Sequence, residues 1–218
     1  MKSLSSYAAR AVPLLTIAGL MSAVSLPASA TGDVFYSGRA TGVNASVTVL
    51  GIKQNILISD NGMSCQGLPK SETLYSLTNP APLNVSINEA YTFTQGRERS
   101  SLTKARLSGL SVGVPGLAVN STLIEARAQA TCNASNEITL NGKSTIGTLT
   151  INGQAYPVTG QPNQRITIPN IASITVNEQQ RFANEIRVVG VHVRLLTSNT
   201  LATGDLQIAA AKARIVCD

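Results

Sequence analysis

Acid–base and thiol chemistry near neutral pH would fall to one histidine, eleven carboxylates and three cysteines in this 218-residue chain. His192 is the only side chain whose ordinary pKa lies close to neutrality. It stands between Val191 and Val193 in an alternating stretch, beside Arg194, and reads as a surface residue on the outer face of a strand. Glycoside hydrolysis needs two converging carboxylates, and the acids here stand apart in sequence. Glu178 is the least easily dismissed of them. It lies in Asn177-Glu178-Gln179-Gln180, a polar break after a strand, where the expectation is a turn whose side chains bond nearby backbone amides. No Gly-x-Ser-x-Gly elbow, phosphate loop or paired-histidine helix motif occurs. With no Cys-x-x-Cys spacing and a single histidine, no metal site is expected. These readings assign no catalytic residue and no cofactor, and they leave any ligand-binding residue unassigned.

The cysteines suggest a structural role. Cys132 and Cys217 each end an Ala-rich strand, on the face carrying its alternating small residues. If those strands are neighbours, the two sulfurs meet at one end of a sheet. Such a bond would span 85 positions, worth on the order of 4 kcal/mol of loop entropy. Cys65 lies in the turn-rich stretch Asn61–Gly67. The alternative, in which Cys65 takes one of the two partners, stays open.

The elements that must position these groups show in the side-chain period. In Leu123–Cys132, Ile124, Ala126, Ala128, Ala130 and Cys132 share one face, with Glu125, Arg127, Gln129 and Thr131 on the other. A period of two marks a half-buried strand. In Ile186–Leu196, Val189, Val191, Val193 and Leu195 read as the inner face. Further strands are expected at Ala45–Gly51, Asn55–Ser59, Asn84–Phe93, Thr145–Ile151, Arg165–Ile168, Ser173–Val176 and Asp205–Cys217. Alternation slips in Ala209-Ala210-Ala211, as at a β-bulge. Asn61-Gly62, Asn141-Gly142 and Asn152-Gly153 suit tight hairpin turns. The fold class that follows is all-β, an antiparallel β-sandwich. A parallel β-helix is the alternative, but the repeat of roughly 20 to 30 residues that it requires is missing.

The first thirty residues read as an export signal. Lys2 and Arg10 precede an apolar run, Ala11–Val24, and the small-residue stretch Ser25–Ala30 ends in Ala-Ser-Ala. Cleavage after Ala30 leaves 31–218 as a single β-domain with 15 basic and 11 acidic side chains. The expected location is extracellular or at the cell surface, with the periplasm as alternative. Thr31 is not a lipid-bearing cysteine, and the C-terminus shows no anchoring signal. The mature part is expected to carry no membrane segment. A nucleic-acid partner would require a contiguous basic face with aromatic platforms. Arg97-Glu98-Arg99, with Lys104 and Arg106 following, reads instead as a solvated loop or strand edge, and no nucleic-acid partner is expected.

Five stretches in order carry a family resemblance: Gly38–Val43, Gly147–Gly153, Pro162-Asn163, Ile174–Gln179 and Gly204-Asp205-Leu206 leading into an Ala-rich strand. Together they resemble the choice-of-anchor P family of bacterial exported surface proteins. The resemblance implies a displayed surface domain and brings no catalytic residue with it. The functional expectation is a non-enzymatic, secreted or envelope-associated domain with an adhesive, binding or structural role. Its partner would be a cell-surface or extracellular polymer or protein. A filament subunit self-associating by strand addition and a secreted polysaccharide-acting enzyme are the alternatives.

Overall fold

Backbone pairing runs through nearly all of the computed structural model, which describes residues 34–65, 69–79, 82–196 and 201–217. The segment read as an export signal, and the cleavage point expected after Ala30, lie outside the described residues. The strands are β1 (Phe35–Val49), β2 (Ile52–Asp60), β3 (Ser64–Cys65), β4 (Lys70–Asn79), β5 (Asn84–Arg97), β6 (Ser100–Val114) and β7 (Leu117–Cys132). They continue with β8 (Ile138–Ile146), β9 (Leu149–Ile151), β10 (Gln154–Tyr156), β11 (Gln164–Ile168), β12 (Ala172–Arg181), β13 (Glu185–Leu195) and β14 (Ala202–Val216). Among the described residues there is no helix, and none long and apolar enough to cross a membrane.

Two antiparallel sheets form, neither closed into a barrel. The first runs β11-β12-β13-β14-β1-β2, with β3 also paired to β1. The second runs β10-β9-β7-β6-β5-β4, with β8 also paired to β7. Alternation explains the layering: the faces that bury Val43, Val47, Val191, Val193 and Ile208 in one sheet, and Leu107, Ile124, Ala126 and Ala128 in the other, form one core. Burying each large aliphatic side chain contributes about 1.5–3 kcal/mol. The antiparallel sandwich is thus the observed architecture.

The disulfide joins Cys132 and Cys217, with Cα atoms 6.0 Å apart. The strands that carry it are not neighbours in one sheet. β7 and β14 belong to opposite sheets and pack face to face, where Ala126, Ala128, Ala130, Ala211 and Ala213 are all buried. The bond therefore clamps the two layers together, and the small alanines let them approach.

Other local expectations change. Asn141-Gly142 is not a turn but lies within β8. A Cβ on Gly142 would stand 2.7 Å from Val188 Cγ2 and 2.8 Å from Ile186 Cδ1, so this glycine permits close contact between the sheets. Asn152-Gly153 does form the β9–β10 turn, with φ of 50° and 79°. Arg97-Glu98-Arg99 forms the β5–β6 tip. Asn177–Gln180 is no loop: β12 continues through it to Arg181.

The slip at Ala209 is not a bulge, because no residue is inserted. Ile208 and Ala210 pair with Val43 and Thr41 on one side, and with Val191 and Val189 on the other. Ala209 itself has φ 53°, the left-handed region. Its register neighbours complete a line across the sheet: Asn163 (φ 59°), Asn177 (φ 52°), Gly190, Ala209, Gly42 and Ser59 (φ 50°). The buried positions change parity at this line, from Ala40 to Val43 in β1 and from Val188 to Val191 in β13. The second sheet has a matching line through Ser76 (φ 51°), Asn88, Gly109 (φ 59°) and Thr122. Each sheet is creased across its strands.

Candidate functional site

The crease shapes the outer face of the first sheet. On one side lies the row Thr175, His192, Gln207, Asn44. On the other lies the row Gln180, Arg187, Lys212, Arg39. Between them the floor is Val189, Ala210 and Thr41, all with short side chains. The phase change places these rows against one another and leaves a transverse groove. Its larger part is a cavity of about 290 Å³ lined by Arg39, Thr41, Asn44, Gln180, Arg187 and Lys212 among others. A smaller part, about 170 Å³, lies over Glu178, Val189, His192, Arg194 and Asp205. The Arg187 guanidinium donates to Gln207 Oε1, and both side chains line both parts. Phe182, 56% exposed, stands at the rim of the larger part.

His192 departs most from its sequence-based reading. Its side chain does point outward, but it is only 4% exposed. The crease folds its row onto the Val189 row, and carboxylates close over it from two strands. Its Nδ1 bonds Glu178 Oε2, and its Nε2 lies 2.7 Å from Asp205 Oδ2. Arg194 stands 3.8 Å from both Glu178 Oε1 and Asp205 Oδ2, while Gln180 Nε2 donates to Glu178 Oε1 at 2.9 Å. Burial alone would lower the imidazole pKa. Hydrogen bonds and charge attraction from Asp205 and Glu178 outweigh it, and the pKa is pushed up to about 9. The Glu178 carboxyl is held below its usual range, chiefly by the hydrogen bond from His192.

This sets the chemistry of the cluster. At neutral pH the ring is an imidazolium, and both of its N–H groups donate to carboxylates. No ring lone pair is available to accept a proton, and Glu178 is ionised, so it has none to give. Two carboxylates do converge here, which the sequence alone did not disclose, yet the cation between them occupies both. The cluster fixes geometry and charge.

Two of the remaining cations of the groove are also neutralised from within, whereas Arg187 is held, among the described residues, only by the neutral amide of Gln207. Arg39 is paired to Asp60, its Nε 2.8 Å from Oδ1, and Asp60 is held below the usual carboxylate range chiefly by that bond. Lys212 lies 2.9 Å from Glu185. What the groove offers a ligand is therefore amide, hydroxyl and guanidinium hydrogen-bonding capacity, with Arg187 as its one cation lacking a carboxylate partner among the described residues. A wider recess of about 700 Å³, among Leu50, Pro82, Val114, Pro115 and Leu117, is mainly apolar. One of its two amides, Asn152, is committed to the backbone of Gly116 and Ala118, and few polar groups remain to orient a ligand.

Among the described residues no group of three or more histidine, cysteine or carboxylate side chains is arranged to hold a metal ion. The chain matches no protein-family model, no curated protein and no solved structure.

Proposed function

We propose that this chain is a non-catalytic binding domain of the cell exterior, holding an extended, uncharged polysaccharide in the transverse groove of the first sheet. One observation carries the reading: a groove floored by short side chains and walled by Gln180, Gln207, Asn44 and Arg187, in which Arg39, Lys212 and His192 are paired with Asp60, Glu185, Glu178 and Asp205 and a single guanidinium, Arg187, is left to donate. Planar amides and a guanidinium suit sugar hydroxyls, and Phe182 supplies an exposed ring at the rim. The signal-like N-terminus, the disulfide and the resemblance to exported surface domains support the compartment.

Strand addition along β4 is the weaker reading. The edge is long and exposed, but Lys70, Glu72 and the left-handed Ser76 are features that blunt edge pairing.

Affinity electrophoresis of the mature, disulfide-intact protein through gels containing neutral glucan, mannan, galactan or xylan tests the proposal. At least one polymer is expected to retard the protein, and Arg187→Ala and Gln207→Ala to weaken that retardation about tenfold, a loss of about 1.4 kcal/mol. Retardation by none of them, or equal retardation of both variants, refutes it.

A further inference from the structure

We propose that the outer face of the second sheet is a separate site for an anionic polysaccharide of the polyuronate class. Lys104, Arg127 and Lys143 stand directly opposite one another on β6, β7 and β8, about 4.8 Å apart from strand to strand. Arg106 extends the patch in the next row, beside Glu125. Like charges placed directly opposite across strands destabilise a sheet. Lys104 is relieved by Glu125 at 3.0 Å. Among the described residues, Arg106, Arg127 and Lys143 have no carboxylate within ion-pair distance, and all three are exposed. Sheet stability would not favour this row, whereas a bound polyanion would supply the missing charge. The contrast is with the first sheet, where Arg39, Lys212 and His192 are each paired with a carboxylate and Arg187 alone is not.

Two further features favour a sugar polymer. Next to the cation rows, Tyr91 and Phe93 stack with ring centroids 6.4 Å apart and planes 12° from parallel, opposite Arg106 and Lys104. They offer apolar surface to the C–H face of a sugar ring. At the other end, Gln129 and Asn141 join Arg127 and Lys143 around a hollow of about 260 Å³, adding amide donors and acceptors for hydroxyls. A uronate chain carries one carboxylate per ring, a repeat close to the strand spacing, and lying across β6, β7 and β8 it would meet one cation per strand.

The test is a titration of the mature protein with sodium polygalacturonate at about 50 and about 200 mM salt, repeated with a single-stranded oligonucleotide. Saturable binding that weakens with salt is expected. The double variant Arg127→Gln/Lys143→Gln, at two exposed positions, should lose about tenfold in affinity while Arg187→Ala in the groove loses none. No binding, or binding unchanged in the double variant, overturns the proposal. So does an equal loss in Arg187→Ala, which would place the polyanion in the groove. Tighter binding of the oligonucleotide overturns the assignment to polysaccharide.

Discussion

Replacing His192 with glutamine removes the cation between Glu178 and Asp205, and the consequence depends on pH. The folded-state pKa is raised from 6.5 to about 9. At 1.36 kcal/mol per unit, the cluster stabilises the fold by on the order of 3 kcal/mol when the ring is protonated. A raised pKa means that this stability is complete below about pH 6.5 and is lost as pH rises through about 9. Glu178 has the opposite sign: its pKa is lowered, so its contribution is present above its ordinary value of 4.5 and is lost as pH falls below it. Urea unfolding of the wild type and His192→Gln should thus differ most near pH 6, and the difference should shrink steadily between pH 6.5 and 9. Because His192 is the only histidine, its ring-proton NMR titration is free of overlap and should have a midpoint near 9. A midpoint at or below 6.5, or a stability difference that does not change with pH, would refute the charge network.

Other outcomes follow from packing. Serine at both Cys132 and Cys217 should cost on the order of 4 kcal/mol in denaturant unfolding, given the sequence separation of 85; an unchanged midpoint would show that the clamp between sheets is energetically idle. Gly190→Ala would place a Cβ 2.4 Å from Ile124 Cγ2 and 3.2 Å from the Ile208 carbonyl oxygen. Overpacking of that kind costs about 1–3 kcal/mol, visible as a lowered thermal midpoint, and a variant as stable as the wild type would count against tight sheet-to-sheet contact at the crease.

How much of this could be read from the sequence differs from strand to strand. β7 was legible because every inward residue from Ile124 to Cys132 is apolar and every outward one polar. β6 was not, since its inner face begins with Ser101 and Thr103, buried hydroxyls that hide the alternation. β4 is an edge strand exposed along most of its length, so it buries too little to impose a pattern. Ser101 Oγ donates to the Ser37 carbonyl at 3.0 Å, a satisfied polar contact that composition cannot announce.

The site depended on a signal present in pieces. Alternation changes phase at Gly42, Gly190 and Ala209, and the polar break at Asn177 falls in the same register row. Taken singly, these read as a bulge and a turn. Aligned across neighbouring strands, they mark the crease that buries His192 and opens the groove. That alignment requires the strand order, which one sequence does not supply.

The groove proposal is tested most directly by backbone amide chemical-shift mapping of the mature protein with short neutral oligosaccharides cut from whichever polymer retards it. The predicted result is saturable shifts confined to residues around Arg187, Gln207, Asn44 and Gln180, with the cationic rows of the second sheet unmoved. Shifts centred on Lys104, Arg127 and Lys143, or on the apolar recess near Leu50, would contradict it.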